Sequence, residues 1–346
     1  MLEEKRVQVE PHVQSALRSI GSVKRAIRWT DWALSKIPLL CWAGSYLCLF
    51  HHQVSWQCAA KMCLFIYVFA VSNAGFGFLI NDLGDRTVDR LAGKRNIFNE
   101  SGMKAGLISL GALLCVMVAS ACPFILQPGF PFLWALSLLA CIAYSLPPLR
   151  LKQRGFSGIA VSVVAQSTLP LLLLCSAMGF AIGLESILLI CVGSISACTL
   201  EIAHQRYDRP SDEGTETSTF AVQLGSNGID TAYRVILVVD RLAVGLLITL
   251  VAVRGLYSLP LGWIGLLLIP LYLTALLVTT ARMMRREQID PWYGSRPWDQ
   301  RLIHNVLPNI CVPITLLVCL SQFSPAWLVL LICFICWRLL LYMGQT

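Results

Sequence analysis

Residues 59–96 decide the fold: AAKMCLFIYVFAVSNAGFGFLI (59–80) runs directly into NDLGDRTVDRLAGKRN (81–96). The first part holds 22 residues and a single charge, Lys61. An apolar run of that length crosses a hydrocarbon core of about 30 Å as an α-helix. The second part is the densest polar stretch of the chain. The junction therefore predicts a transmembrane helix that ends in a highly charged segment at one membrane surface.

Nine further apolar segments flank this one. The composition is 56% apolar and 13% charged, whereas soluble domains average about 45 to 50% and 25%. This excludes a soluble enzyme and predicts an all-α integral membrane protein, a bundle of about nine to ten transmembrane helices. The predicted segments are residues 33–50, 59–80, 104–126, 131–147, 158–180, 185–202, 235–253, 260–281, 304–321 and 325–343.

The basic residues are distributed unevenly around these segments. All but Lys61, Arg254 and Arg338 of the 27 lysines and arginines lie in or near the amino-terminal region and the loops after segments two, four, six and eight. Loops rich in lysine and arginine stay on the cytoplasmic side. We therefore predict that these loops are cytoplasmic. The net charge of +8 then sets the membrane orientation and does not indicate nucleic acid as a partner.

The amino-terminal region differs from the rest of the chain. Apolar residues recur there at spacings of three and four, from Val13 to Ile27, with arginines and lysines between them. This pattern is typical of an amphipathic helix that lies in the membrane interface. The sequence therefore predicts a cytoplasmic amphipathic segment, residues 1–32, before a transmembrane domain, residues 33–343.

Three aspartates follow the second apolar segment. Asp82, Asp85 and Asp89 fall at i, i+3 and i+7, and Asn81 precedes Asp85 by four residues. A helical continuation of the segment would place all four side chains on one face. Stacked carboxylates repel one another unless a cation neutralises them, and an all-oxygen ligand set suits Mg²⁺. We predict that these four residues bind magnesium.

A second acidic face follows the sixth apolar segment. His204, Asp208 and Asp212 stand at i, i+4 and i+8, although Pro210 predicts a kink or a new helix start between the aspartates. Two acidic clusters on one membrane side suggest two metal ions flanking one diphosphate. Asp208 and Asp212 are therefore predicted metal ligands, and His204 is a predicted substrate-binding residue.

Basic residues near the acidic clusters are candidates for binding the diphosphate. Arg150 and Lys152 follow the Pro147-Pro148 turn after segment four, and Lys94 and Arg95 follow the first aspartates. Arginine offers a planar fork that matches phosphate oxygens. The alternative is that these charges only orient the protein in the membrane.

Polar residues inside the apolar segments are candidates for binding an acceptor. Asn73 and Gln166 are the foremost, and intramembrane polar groups often have a functional role. The alternative is that they only form interhelical hydrogen bonds. Further polar residues of this kind are Thr168, Asp240, His304, Asn305 and Asn309.

Together these residues resemble a known family. NDLGDRTVD (81–89) is similar to the NDxxDxxxD motif of the UbiA superfamily of intramembrane prenyltransferases. DRPSD (208–212) is similar to the second, DxxxD motif, and YSLPPLRLK (144–152) to the YSxPPxRxK loop. The resemblance spans about residues 33–320. The superfamily usually has nine spanning helices, one fewer than the segments counted here.

The resemblance implies a helical bundle around a central cavity in which Mg²⁺ holds an isoprenyl diphosphate. The diphosphate ionises to a carbocation and pyrophosphate leaves. The aspartates would be the catalytic residues because they hold the metal ions, the basic residues would bind the diphosphate, and Tyr144 would contact substrate. The residues that carry these roles are Asn81, Asp82, Asp85, Asp89, Asp208 and Asp212 for metal, and Lys94, Arg95, Arg150 and Lys152 for diphosphate.

The predicted activity is magnesium-dependent transfer of an isoprenyl group to a lipophilic acceptor, aromatic or a quinone precursor. A terpene cyclase of the same superfamily would form the same cation without an acceptor, and the sequence does not separate the two. A CDP-alcohol phosphotransferase is disfavoured because its DGxxAR motif is absent. A transporter or non-catalytic scaffold would place its acids at mid-membrane, whereas these lie at one face.

Overall fold

A computed structural model describes residues 28–215, 217–258, 263–285 and 302–342. In these ranges the only β-type pairing is an isolated bridge between Gly155 and Thr219. Ten long helices account for most of the described chain: α1 (Lys36–Phe50), α2 (Trp56–Leu91), α3 (Gly102–Phe124), α4 (Phe130–Ser145), α5 (Phe156–Met178), α6 (Leu184–Gly214), α7 (Phe220–Ser258, kinked at Gly225, whose backbone is not helical), α8 (Trp263–Met284), α9 (Leu302–Cys311 continued by Val312–Ser321) and α10 (Ala326–Tyr342).

Each of the ten apolar segments coincides with one of these helices, and the predicted all-α membrane bundle is confirmed. Five helices, α2, α3, α5, α6 and α7, are long and apolar enough to cross a membrane. The other five contain shorter apolar stretches of 10 to 17 residues. Of the predicted amphipathic segment, residues 1–32, the part before residue 28 lies outside the described residues.

The outer surface of the bundle is apolar. Large hydrophobic side chains are exposed on several helices, as expected where lipid tails and not water surround the protein. They include Ile108 on α3, Phe132 and Leu139 on α4, Leu246 on α7 and Leu277 on α8. Helix sides that face one another are packed instead, so the core is built from the inward faces.

An aromatic cluster closes one end of the core. Phe65 and Phe69 of α2 pack on Phe124 and Phe130 at the α3–α4 connection, with ring centroids 5.4 to 6.5 Å apart. The end where α2 and α6 run into their acidic residues lies opposite and is called the motif end below. The core is therefore closed by aromatic side chains at the end opposite the motif end.

Three helices contain π-helical turns, at Phe65–Ala70, Val164–Thr168 and Leu302–Cys311. Such turns are rare and occur frequently at functional sites. All three contribute residues to the wall of the central cavity, among them Phe69, Gln166 and Asn309. The π-helical turns of these helices are thus located at the central cavity.

The last helix is fixed against the start of the bundle. Trp337 of α10 donates an indole hydrogen bond to the carbonyl of Ala33 at 3.2 Å, and its ring packs 3.9 Å from that of Trp29. Trp327 donates to the carbonyl of Val54 at 2.9 Å. Because tryptophan N–H groups are satisfied at both contacts, α10 is an integrated part of the fold.

Candidate active site

A cavity of about 1860 Å³ occupies the centre of the bundle. Eleven predicted site residues line it: Asn73, Asn81, Asp82, Asp85, Asp89, Lys94, Arg95, Tyr144, Gln166, His204 and Asp208. Arg150 and Lys152 do not line the cavity, but both contact Asp85, which does. Asp212 does not line the cavity. The structure thus gathers residues from six separate stretches of sequence around one space.

The first aspartate motif lies on the last turns of α2, as predicted. Its placement depends on a close approach to α4 at Gly84, where a Cβ atom would lie 2.4 Å from the carbonyl oxygen of Ser145. Only glycine allows the two backbones to come this close. At this contact the hydroxyl of Ser145 donates to the amide oxygen of Asn81 at 3.3 Å.

Asp82 is the most buried carboxylate of the motif, with 2% of the residue exposed. Its partner is Arg28, whose Nη1 lies 3.0 Å from Asp82 Oδ1. The guanidinium also lies 5.6 Å from the ring of Phe78, at a cation–π distance. From the sequence, Arg28 was only one basic residue of an interfacial segment, so its place beside a predicted metal ligand is a finding of the structure.

Asp89 is held by the loop that follows α2. The amide nitrogen of Asn96 donates to Asp89 Oδ2 at 2.8 Å and to the backbone carbonyl of Asp82 at 2.7 Å. Asn96 is itself only 2% exposed and its oxygen caps the short helix Ile97–Glu100. One asparagine therefore folds the loop back onto the helix and positions the last aspartate of the motif.

The basic loop contacts the first motif directly. Arg150 donates to Asp85 Oδ1 at 3.1 Å, and Lys152 bonds both to the same oxygen and to Asn81 Oδ1, the latter at 2.9 Å. Arg150 adopts a left-handed backbone conformation with φ of 39° after the cis Pro147-Pro148 bond. Burial lowers the pKa of Lys152, and the Asp85 carboxylate opposes that shift. Both cations thus point at the carboxylates.

The second motif lies on a helix that continues through Pro210, so no new helix begins between its two aspartates. Helix α6 runs to Gly214. A proline removes only the bond to the carbonyl four residues earlier, and the helix ends beyond it with a bond from Thr215 N to Ser211 O at 3.1 Å. His204, Asp208 and Asp212 therefore share one face.

The two aspartates of the second motif contact different parts of the protein. Lys94 donates to Asp208 Oδ2 at 3.2 Å, and His204 Nε2 lies 3.8 Å from the same oxygen. Asp212, one turn further on, accepts from the hydroxyl of Thr219 at 3.2 Å. The Lys94 contact joins the two motifs across the motif end, while Asp212 faces the start of α7.

A buried carboxylate lines the cavity further from the motif end than the two aspartate motifs. Glu201, 7% exposed, accepts hydrogen bonds from Ser162 at 2.6 Å, Gln205 at 2.9 Å and Tyr144 at 3.4 Å. Glu201 precedes His204 by one turn on the second acidic face of the sequence, but no role was predicted for it or for Ser162, whereas Tyr144 had a predicted contact with substrate. An acidic residue in an apolar helix was the signal that could have found Glu201.

The donor set fits magnesium. Among the described residues, no three His, Cys, Asp or Glu side chains converge closely enough to hold one ion by themselves. Magnesium is usually held by one or two carboxylates, completed by water and substrate phosphates. Asp82, Asp85 and Asp89 on one wall and Asp208 on the other offer oxygen ligands of that kind around a space where an anion can enter.

The fold is an apolar helical bundle, and two aspartate motifs and several basic side chains lie at one end of its cavity. These features are typical of a membrane enzyme whose substrate is anionic and lipophilic. The chain belongs to the UbiA prenyltransferase family, whose family model matches residues 37–306. It is a prenyltransferase by that membership. The matched region spans α1 to α8 and the first residues of α9, so most of α9 and all of α10 lie beyond it.

The fold is also similar to solved structures of a UbiA homolog from Archaeoglobus fulgidus. The one described as bound to DMAPP and Mg²⁺ is 17% identical with a TM-score of 0.59, and the one bound to GPP and Mg²⁺ is 16% identical with a TM-score of 0.56. Each match covers 86% of this chain and 99% of the other. A search of curated proteins found no match.

Proposed function

We propose that the chain transfers an isoprenyl group from an isoprenyl diphosphate to a lipophilic acceptor, aromatic or a quinone precursor, with magnesium as the cofactor. One observation carries the proposal: the two aspartate motifs meet at the mouth of one apolar cavity, where Lys94 of the first loop contacts Asp208 of the second motif at 3.2 Å. A diphosphate bound there would have its hydrocarbon chain inside the bundle.

In this proposal the carboxylates hold the metal ions. Asn81, Asp82, Asp85 and Asp89 supply oxygen ligands from α2, and Asp208 and Asp212 supply them from α6. Bound magnesium would neutralise the charge that grows on the pyrophosphate as the allylic carbon–oxygen bond breaks. Asp212 bonds to Thr219 and does not line the cavity. Of the six proposed metal ligands, it therefore has the least structural support.

Cations around the motifs would bind the outer oxygens of the diphosphate. Arg150 and Lys152 now bond to Asp85 and Asn81, so a diphosphate that enters between the motifs meets both side chains. Lys94 and Arg95 line the same end of the cavity, and Arg28 adds a further charge. Such preorganised donors stabilise a leaving pyrophosphate without acting as nucleophiles.

The cation that remains must be protected from water and must then meet the acceptor. Apolar and aromatic walls below the motif end exclude water, and Asn73, Gln166, Tyr144 and His204 offer hydrogen bonds to substrate. When a carbon–carbon or carbon–oxygen bond forms, the acceptor loses one proton. Glu201 precedes Asp208 by seven residues, or about 10 Å along α6, and it lines the cavity. We assign its carboxylate as the acceptor of this proton.

The membrane orientation belongs to the same proposal. We expect the motif end to face the cytoplasm, since the basic loops surround it. Labelling of single cysteines introduced at Lys104 and Leu126, at opposite ends of α3, would test this in sealed vesicles. A label that reaches Leu126 and not Lys104 from the cytoplasmic side would contradict it.

Product analysis tests the reaction itself. Purified protein would be given geranyl, farnesyl or geranylgeranyl diphosphate and Mg²⁺, with and without a membrane extract of phenols and quinone precursors. A prenylated acceptor with equimolar pyrophosphate supports transfer. A hydrocarbon formed without the extract would support the terpene cyclase alternative, and unchanged diphosphate in all samples would contradict both.

A further inference from the structure

Two cysteine thiols meet at the end of the bundle opposite the motif end. Cys48 lies on the last turn of α1 and Cys58 on the first turn of α2. Their sulfur atoms are 3.3 Å apart, and only residues 51–55 separate the two helices. A disulfide bond is about 2.05 Å long, so the sulfurs would have to approach by only about 1 Å to be joined.

The surroundings of Cys58 favour a reactive thiolate. Its backbone N–H donates to the hydroxyl of Ser55, the cap of α2, at 3.3 Å, so Cys58 lies at the positive end of that helix. The exposed Lys61 follows one turn later and adds a positive charge. A helix N-terminus and a nearby lysine both stabilise the thiolate, which is the nucleophilic form of cysteine.

Cys48 has the opposite setting. It is fully buried and lies at the carboxyl end of α1, where the helix dipole disfavours a negative charge. Cys58 is therefore the thiol that reacts first. A reactive cysteine beside a second, resolving cysteine is the arrangement in which an oxidised thiol is captured as a disulfide.

The burial of the pair limits the oxidant to a small molecule. Cys58 is 7% exposed, whereas its neighbours Trp56 and Gln57 are exposed, and tryptophan is typical of the membrane interface. The thiols thus lie close to water but are covered by protein, which excludes a bulky oxidant. Hydrogen peroxide is small enough to reach them.

We propose that Cys48 and Cys58 form a redox-active site that a peroxide converts to a disulfide. The Cys58 thiolate attacks one oxygen of hydrogen peroxide, the O–O bond breaks and hydroxide leaves, so that Cys58 carries a sulfenic acid. The sulfur of Cys48 then attacks the sulfenic sulfur. The S–O bond breaks, and the hydroxyl leaves as water with the proton of Cys48. The two thiols thus lose two electrons and two protons, and the peroxide becomes two molecules of water.

The disulfide would join two helices that wall the central cavity. Leu40 of α1 and Phe65 of α2 line it, and the new bond would close a ring of 11 residues, from Cys48 to Cys58, between these helices. The pair lies at the end opposite the loops that are expected to be cytoplasmic, and disulfides persist in compartments outside the cytoplasm. The inference does not depend on prenyl transfer.

Counting free thiols tests the proposal. The purified full chain would be reduced, freed of reductant and treated with hydrogen peroxide, then unfolded with N-ethylmaleimide and digested with trypsin. The tryptic peptide 37–61 holds three cysteines, Cys41, Cys48 and Cys58. We expect three labels before peroxide and one label, on Cys41, after it. Dithiothreitol should restore all three labels, because a disulfide is reversible and a sulfinic acid is not. Labels that remain on Cys48 and Cys58 after peroxide would overturn the proposal.

Single substitutions test the order of the two steps. In Cys48→Ser the sulfenic acid on Cys58 has no resolving thiol, so dimedone should label Cys58 after peroxide. In Cys58→Ser, Cys48 should remain a free thiol, and a dimedone adduct on it would contradict the assignment of Cys58 as the reactive cysteine. Cys41→Ser is the matched control. Cys41 is a buried cysteine of the same helix that contacts Tyr67 at 3.6 Å, and its variant should still form the disulfide.

A second thiol pair provides a comparison within the same sample. Cys63 of α2 and Cys333 of α10 also interact, but neither lies on the first turn of its helix. These two thiols should stay reduced under conditions that oxidise Cys48 and Cys58. Equal oxidation of both pairs would show that proximity alone decides, and would refute a distinct redox site even if a substituted protein does not fold.

Discussion

The guanidinium of Arg28 and the carboxylate of Asp82 form an ion pair, 3.0 Å apart, across 54 residues of sequence. Asp82 is 2% exposed, whereas about a third of the arginine side chain is exposed. A buried carboxylate requires a compensating charge. The residue just before the bundle thus supplies that charge to a predicted metal ligand at the mouth of the cavity.

Replacing Arg28 by alanine should therefore change how strongly magnesium stabilises the protein. Without the guanidinium, Asp82 remains buried and unpaired, and unfolding should be easier in EDTA by about 1 to 3 kcal/mol, less than for a fully buried pair. Mg²⁺ with geranyl S-thiolodiphosphate, a non-reacting analogue of the donor, should restore more stability to the variant than to the wild type. Thermal unfolding with and without these ligands measures both effects.

Arg90→Ala is the control, since Arg90 is an exposed residue near the end of the same helix. It should leave both the EDTA stability and the ligand-induced gain unchanged. An Arg28→Ala protein with wild-type unfolding in EDTA would show that the ion pair contributes nothing.

Gly84 should not tolerate a side chain. A Cβ there would lie 2.4 Å from the Ser145 carbonyl oxygen, so Gly84→Ala must push α2 away from α4. Overpacking of this kind costs about 1 to 3 kcal/mol, and it would displace the motif residues on either side. Thermal unfolding and donor binding should both be impaired.

Gly111→Ala on α3 provides the comparison, because no atom lies within 4 Å of the Cβ added there. That variant should unfold as the wild type does or at slightly higher temperature, since alanine favours helix. Similar behaviour of the two variants would rule out a close approach at Gly84.

Exchanging Arg150 for lysine separates a role in binding from a role in membrane orientation. The exchange keeps the charge but loses the planar fork, so the affinity for the diphosphate donor should fall about ten- to a hundredfold. Titration with geranyl S-thiolodiphosphate and Mg²⁺ gives the affinity. Arg154→Lys, at an exposed arginine that bonds to the Pro148 carbonyl, should bind normally.

If Arg150→Lys binds the donor like the wild type, the loop acts only through its charge. Loss of membrane insertion in this variant is not expected under either view, because orientation depends on the number of positive charges.

The buried Glu201 should influence turnover and not donor affinity. Glu201→Gln retains the size of the side chain but cannot take up a proton, so kcat should fall at least tenfold, by analogy with other general bases, while the dissociation constant for the donor analogue stays the same. Steady-state rates and analogue titrations separate the two quantities.

Glu213→Gln changes a half-exposed glutamate on the same helix that pairs with Arg209 at 2.5 Å, outside the cavity wall. It should leave kcat unchanged. A Glu201→Gln enzyme with full turnover would exclude Glu201 as the proton acceptor.

The fold could be predicted well from the sequence because its signals are local. A run such as residues 59–80 fixes a helix by its length and apolar character, and the spacing of Asp82, Asp85 and Asp89 fixes their common face once the helix continues. At Pro210 the sequence left a kink and a new helix start open, because the loss of one backbone hydrogen bond at a proline does not decide whether the helix continues. The structure shows that the helix continues to Gly214.

The site could be predicted only in part, since much of it depends on contacts between distant segments. The sequence placed Arg150 and Lys152 beside the motifs but offered no reason to pair Arg28 with Asp82. That pair requires the segment before α1 to pack beside the end of α2. Nor could the sequence show that the buried hydroxyl of Ser167 has no hydrogen-bond partner among the described residues. Both facts depend on how the helices surround the cavity.

Metal-dependent ionisation at the aspartate motifs can be measured directly as release of pyrophosphate from geranyl diphosphate. The purified wild type, Asp85→Asn and Asp230→Asn would be compared in the presence of the membrane extract. Asp85 bonds to Arg150 at the cavity, whereas Asp230 pairs with Arg206 outside the cavity wall. We predict rapid release by the wild type that EDTA abolishes and Mg²⁺ restores. Release should fall at least a hundredfold in Asp85→Asn and should be normal in Asp230→Asn. Release that persists in EDTA, or in folded Asp85→Asn protein, would contradict metal-dependent ionisation at this site.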